Sequence, residues 1–203
     1  MADFKRFYER YWSAEAPPEH DPHAAERRQR LRKCLVDVRP GVAVLDYGCG
    51  HGEGVDFLAN LGFTAEGVDL ADGAITKARA KYPNLSFHTF ADWAPVTYDV
   101  CVCFEVIEHV LDPRALLETL RGLIKPSGYL ALSTPYHGLA KNVAIALHGF
   151  EQHFDVEGSH IRFFTDQSLV QLLTTCRFRV LRIQHFGRVP LLQANTFVWA
   201  QRD

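Results

Sequence analysis

VAVLDYGCGHG, residues 42–52, joins an apolar run to a glycine-rich turn, and the architecture of the chain is read from that junction. The apolar, partly β-branched run has the character of a buried parallel strand. It ends in Asp46, and glycines follow at every second position, Gly48, Gly50 and Gly52. Glycine adopts backbone that other residues avoid, so main chain in such a loop can come close to a ligand. The helix expected behind the loop adds a field at its N-terminus that favours a negatively charged group. A small polar cofactor is expected at this turn.

Before the junction, Asp21 to Val38 reads as a helix ended by Pro40-Gly41. In the arm ahead of it, Phe4, Phe7, Tyr8, Tyr11 and Trp12 recur at helical spacing, so the arm has an apolar face that must cover something. Two readings stand, packing on the domain or a lid over the cofactor site. Residues 1–38 are therefore taken as a helical arm and lid, and 39–203 as the main domain.

After the junction the pattern alternates. A helix over 54–61 leads to a strand from Thr64 to Val68 with Asp69 directly behind it, then a helix over 71–82 stopped by Pro83-Asn84 and a strand over 85–89. Tyr98 to Phe104 is a strand. Asp112-Pro113 supplies an N-cap and a first-turn proline for a helix to Leu123. Lys125 to Gly128 turns the chain into a strand from Tyr129 to Thr134. Residues 136–163 break the alternation and read as an irregular insertion, with a short apolar segment from Val143 to Leu147. Long insertions at the exit of a sheet strand tend to carry function, so a substrate pocket is expected here. His137, His148 and His153 would shape it without assigned chemistry. A helix from Thr165 to Thr175 and strands from Phe178 to Phe186 and Thr196 to Gln201 complete an α/β fold, a seven-stranded, mostly parallel sheet with helices on both faces.

Basic and acidic residues nearly balance, 22 against 24, which argues against a protein that coats nucleic acid or lies on a membrane surface. No apolar run approaches the ~20 residues of a bilayer span, and the charged, aromatic start has no signal-peptide character. Five cysteines form no CxxC pair and read as reduced thiols of a cytoplasmic protein.

A GxG turn serves dinucleotides and methyl donors alike, and spacing separates them. A dinucleotide fingerprint has its third glycine three positions after the second, where this chain has Glu53. Here the third glycine is Gly52, and Asp46 precedes the first. In this pattern, (D/E)xGxGxG, the chain resembles the class I S-adenosylmethionine-dependent methyltransferases from about Asp46 to Phe186. The resemblance implies a Rossmann-like methyltransferase fold with S-adenosylmethionine as cofactor. It lays Gly48, Gly50 and Gly52 along the methionine part, whose ends would meet Asp46, Gly48 and Cys49. Asp69 would accept both ribose hydroxyls. Asp92 falls where an acid takes the adenine amino group, with Trp93 packed on the ring, and Leu70 and Phe104 complete the expected cofactor set. From the residues alone, Asp69 could instead cap a helix and Asp92 make a turn.

FEVIEHVLDP, residues 104–113, follows the central strand. If a helix begins here, Glu105, Glu108 and His109 share one face at i, i+3 and i+4, beyond the carboxyl end of the strand where open sheets place ligands. With Ser133-Thr134-Pro135 and His160-Ile161-Arg162-Phe163-Phe164 further on, the set resembles the ubiquinone-biosynthesis O-methyltransferase group. It is also similar to the small-RNA terminal 2′-O-methyltransferases, in which Glu-x-x-Glu-His and a later histidine hold a divalent metal. That resemblance implies Glu105, Glu108, His109 and His160 as ligands, and their mixed chemistry admits Mg²⁺, Mn²⁺, Zn²⁺ or Fe²⁺. A metal-free reading makes His109 the general base with Glu108 orienting it and Glu105 near the sulfonium. A third leaves a solvated helix start. The expected activity is methyl transfer to oxygen of a small, hydroxylated, partly apolar acceptor. A non-catalytic cofactor-binding module and an RNA methyltransferase are the alternatives, the second disfavoured by the charge balance.

Overall fold

The glycine turn sits at the carboxyl end of β1, Ala43–Tyr47, as the strand-loop-helix pattern requires. A computed structural model describes Lys5, Arg6, Glu9 and residues 22–187 and 192–203. The aromatic positions of the arm, Phe4, Phe7, Tyr8, Tyr11 and Trp12, lie outside the described residues. By its internal contacts the chain divides into two units, Met1–Val102 and Cys103–Asp203.

In the first unit α1, Ala24–Leu35, precedes β1 and buries Leu31, Cys34 and Leu35. Helix α2, Glu53–Asn60, leads to β2, Thr64–Asp69, and α3, Asp72–Lys81, leads to β3, Ser86–Thr89. β4, Tyr98–Phe104, completes the parallel set, in which β1 pairs with β2 and β4, and β2 with β3. The central side chains of β1 and β4, Val44 and Leu45 in one and Val100 to Cys103 in the other, are buried and apolar on both faces, as a covered parallel sheet demands. Cys49, Val55, Ile75, Ala78 and Phe87 form one buried cluster behind the glycine turn.

In the second unit α4, Pro113–Leu123, starts at Asp112, whose side chain accepts from the Ala115 amide. It packs Leu116, Leu117 and Leu120 inward. β5 runs Ile124–Pro135, so the Lys125–Gly128 turn is absorbed into a long strand, with Ser127 taking the irregularity at φ 62°. Helix α7, Asp166–Thr175, is held by a reciprocal cap between Thr165 and Ser168. β6, Phe178–Phe186, and β7, Asn195–Arg202, form a hairpin, with β7 antiparallel to both β5 and β6. The strand order is β3-β2-β1-β4-β5-β7-β6, the expected seven-stranded, mostly parallel sheet.

Two expectations are corrected. Residues 136–163 are not irregular throughout: they carry α5, Leu139–His148, and the single turn α6, Phe150–His153. α5 buries no residue, so its apolar content could not announce a core-facing stripe. The chain after Phe104 is not an α-helix either, since Glu105 stands at φ 53° and only a 3₁₀ turn, Ile107–His109, follows. No described helix is long and apolar enough to cross a membrane.

Leu120 is fully buried on α4. Leu120→Ala should cost about 2–5 kcal/mol of unfolding free energy in a urea titration, by lost transfer energy and the cavity left behind.

Candidate functional site

The turn after β1 works by alternation. Gly48, Gly50 and Gly52 stand at φ 82°, 52° and 89°, three left-handed residues separated by ordinary ones. A residue with a Cβ pays about 1–2 kcal/mol at each such position, and at Gly52 the added atom would also lie 2.6 Å from the Phe87 ring. The tight path lets the Gly48 and Cys49 amides donate to the Val68 carbonyl at 2.8 and 3.1 Å. The Gly50 amide donates to Asp69 at 2.9 Å and the Gly52 amide to the Cys49 carbonyl at 3.0 Å. These four N–H groups thus have partners inside the protein. What the loop keeps is acceptor capacity, since each carbonyl has a second lone pair. Acceptors suit a cationic group such as an ammonium.

Asp69 is the fastener. One carboxylate oxygen takes the Gly50 amide and the other the Ala71 amide, both at 2.9 Å, so the acid holds main chain on both sides of it. Each oxygen retains a lone pair for a hydroxyl. Burial raises the Asp69 pKa against the pull of these amides. Asp46 is buried beside it, and its carboxylate lies against Gly54, where a Cβ would come within 2.2 Å. Burial first, then the charge of Asp69, push Asp46 up to about 7, while the charge of Arg27 acts in the other direction. Arg27 is buried on α1 and sequence reading missed it, because ERRQRLRK puts arginines on every face of that helix. Cys49 packs its sulfur against Gly67 and Val55, and burial drives its thiol pKa far up, so it is a spacer and not a nucleophile.

Asp92 and Trp93 follow β3. Asp92 accepts from the Thr89 amide at 2.6 Å and hydroxyl at 2.9 Å and pairs with Arg79 at 2.9 Å, which holds its pKa down to about 2, Arg79 being the larger cause. The Trp93 indole donates to Glu66 at 3.4 Å, and its ring meets Phe90 and Tyr47 edge-on with centroids 6.0 and 6.4 Å away. Leu70 is half-buried next to Asp69. From the arm, Glu9 accepts from the Asp72 and Gly73 amides at 2.8 and 3.3 Å, and Lys5 pairs with Asp72 at 2.8 Å. The arm therefore docks on the N-terminus of α3, one turn beyond Asp69.

The second unit brings the acid and the histidines together by another route. Glu108 is completely buried, accepts from the Thr134 hydroxyl at 3.1 Å, and its backbone carbonyl takes the Ile161 and Arg162 amides, both at 3.0 Å. That pins residues 159–162 beside it. The Ser159 carbonyl can only accept, so the His109 Nδ1 it meets at 2.9 Å carries the proton and Nε2 presents its lone pair. The His109 and His160 ring centroids lie 4.8 Å apart, and donor atoms of Glu108, His109 and His160 all fall within 4.8 Å of one another. Burial above all lowers His109 to about 4 and also lowers His160, so both imidazoles are neutral at pH 7. One carboxylate and two neutral imidazoles are a donor set a divalent ion can use.

Glu105 stands outside this group. Without the α-helix its side chain does not share a face with Glu108 and His109, and its oxygens accept from the Ser133 hydroxyl at 2.6 Å and the Asn195 amide at 3.3 Å. Phe104 packs on Phe197 with centroids 6.0 Å apart. Lys141, half-buried on α5, was not singled out by the sequence, and its ammonium donates to the Ala194 carbonyl at 3.1 Å.

A family model described as "Methyltransferase domain" matches residues 10–183. A ubiquinone biosynthesis O-methyltransferase of Albidiferax ferrireducens is 32% identical over an alignment covering 100% of this chain and 84% of that protein. Another, of Paraburkholderia xenovorans, is 29% identical over 98% of this chain and 92% of that protein. Among solved structures, the magnesium protoporphyrin IX methyltransferase of Synechocystis with bound S-adenosylhomocysteine shares the fold with a TM-score of 0.71, at 21% identity over 100% of this chain and 95% of that one.

Since burial raises Asp46 from 3.8 to about 7, the native state keeps a proton that the unfolded chain releases in that interval, and this group's stabilising contribution is lost as pH rises through it. In urea unfolding of the ligand-free protein, Asp46→Asn should gain stability relative to the parent between about pH 5 and about pH 8. A difference that stays constant over that range contradicts a buried charge at this position.

Proposed function

The chain belongs to the S-adenosylmethionine-dependent methyltransferases, and from that premise we propose that it transfers the donor's methyl group to an oxygen of a small hydroxylated acceptor. When bound, the donor supplies a methyl group activated by its sulfonium. The protein's part is to hold it. Asp69 offers lone pairs to the ribose hydroxyls, Asp46 and the loop carbonyls meet the ammonium, and buried Arg27 meets the carboxylate. Asp92 takes the adenine amino group, with Trp93 and Leu70 beside the ring. The arm docked through Glu9 and Lys5 acts as a lid over this region.

The single observation that carries oxygen as the target is the convergence of Glu108, His109 and His160. A hydroxyl is a weak nucleophile until its proton is displaced or its anion stabilised. These three residues fit a divalent cation, which when bound would stabilise the acceptor's alkoxide or phenolate. An imidazole lowered to about 4 favours this over the metal-free alternative, because it is a weak general base at pH 7 while its neutrality suits a ligand. In the metal-free arrangement His109 Nε2 takes the proton and the Glu108 carboxylate, 3.8 Å away, steadies the resulting cation. The names of the relatives support an oxygen target. The insertion supports a partly apolar acceptor, since α5 exposes Leu139, Val143 and Leu147 at successive turns. A net charge of −2 disfavours RNA. Five free, buried cysteines support work in a reducing cytoplasm.

Calorimetry with S-adenosylmethionine should show binding, and Asp69→Ala should weaken it by more than about tenfold through loss of two charge-assisted hydrogen bonds. Unchanged affinity in that variant removes the ribose role. For the ion, a thermal-shift response to Mn²⁺ or Zn²⁺ is expected in the parent and lost in His160→Ala. A response that survives this substitution, or none in the parent, returns the chemistry to His109 as base.

A further inference from the structure

Arg79, in the last turn of α3, turns its planar head to two partners. Nε and Nη2 both donate to the Phe87 carbonyl, at 3.0 and 2.7 Å, and Nη2 also donates to Asp92 Oδ2 at 2.9 Å. An ion pair between exposed groups usually contributes little to stability, because two long side chains must be held in one geometry. The Arg79 and Asp92 side chains are each 48% exposed. Here, however, the guanidinium is held on main chain by two bonds where it meets the acid, and a planar fork loses little freedom for each bond it makes. The contact therefore fixes where the carboxylate stands more than it stabilises the fold.

The acid so held has little acceptor capacity left. A carboxylate offers about four lone-pair positions. Oδ1 gives two to the amide and hydroxyl of Thr89, at 2.6 and 2.9 Å, and Oδ2 gives one to Arg79. Among the described residues one position on Oδ2 remains, and the guanidinium on its neighbour sets its direction. Thr89 is the last residue of β3, so the acid stands just past the carboxyl end of a strand, where open α/β sheets take ligands. The anchor also reaches the glycine turn. Phe87, whose carbonyl holds Arg79, has its ring where a Cβ on Gly52 would come within 2.6 Å. One residue of β3 thus backs the turn with its side chain and the arginine with its main chain, all within the first unit.

We propose that Arg79 is a positioning residue for the methyl donor: its fork on the Phe87 carbonyl aims the last acceptor position of Asp92 at the amino group of the donor's adenine, and so sets the preference for adenine over a purine that lacks this group. This rests on the reading of Asp92 as the adenine acceptor and adds what fixes it. Arg79 acts through Asp92, and no covalent step is involved.

The test measures, by calorimetry on the full chain, the affinity for S-adenosylhomocysteine and for its analogue with hydrogen in place of the 6-amino group. The ratio of the two reads the contact to the amino group alone, and circular dichroism checks that each variant is folded. The parent should favour the adenine ligand by about 10- to 100-fold, the range for one hydrogen bond to a charged group, and Asp92→Ala should remove the preference. Arg79→Met, which keeps the stem and loses the fork, should shrink the ratio by about 3- to 10-fold. Arg79→Lys, whose single ammonium cannot reproduce a planar fork, should fall between Arg79→Met and the parent. If Arg79→Met weakens both ligands equally, or changes only the urea midpoint, Arg79 is a structural tie and the inference falls while the reading of Asp92 stands. If the parent binds both ligands alike, or the preference survives Asp92→Ala, the reading of Asp92 fails and the inference with it. Should Arg79→Met not fold, Arg79→Lys decides: a ratio below the parent's upholds the inference and an unchanged ratio overturns it.

Discussion

The Asp69 carboxylate bridges the end of β2 to the glycine turn, and the site in the first unit depends on that bridge. By taking the Gly50 and Ala71 amides it ties a loop made of three left-handed glycines to the start of the following helix. The Gly48 and Cys49 amides on Val68 complete the seam. The seam also brings Asp46 and Asp69 close enough for each to be raised by burial and for Asp46 to feel the charge of Asp69. Two buried acids held together are unfavourable when both are charged. In the binding mode proposed above, an ammonium at one and two hydroxyls at the other would relieve both.

A comparable economy governs the second unit. Glu108 uses its carboxylate on Thr134 and its carbonyl on residues 161 and 162, and this second contact draws Ser159 and His160 alongside. Ser159 then fixes the tautomer of His109. A 3₁₀ turn, tighter than an α-helix, is what allows side chain and carbonyl of one residue to serve two partners here. Glu105 leaves the group for the same reason: its left-handed backbone turns it to Ser133 and Asn195.

Much of the fold was legible because parallel strands and their caps leave local marks. The apolar run at β1, the cap and proline at Asp112-Pro113 and the Thr165 cap all sit where their chemistry requires. The insertion was not read as helical: Leu139, Val143 and Leu147 recur at helical spacing on α5, but they stay exposed, and only the short run from Val143 to Leu147 stood out as apolar. Lys141 and Arg27 were hidden for a related cause, as a lysine or arginine on a charged or unpatterned helix reads as surface until its neighbours are known.

The sequence by itself determined the alternation of strands and helices, the glycine turn, the acids at its rim and the pairing of Glu108 with His109, since these depend on residue type and near spacing. Only the tertiary structure decided which of them meet. It set Glu105 apart, brought His160 to His109 across 51 positions, buried Arg27 near Asp46 and tied Lys141 to the Ala194 carbonyl. Contacts between distant residues are fixed by packing and by where backbone hydrogen bonds find partners, and neither is written in local spacing.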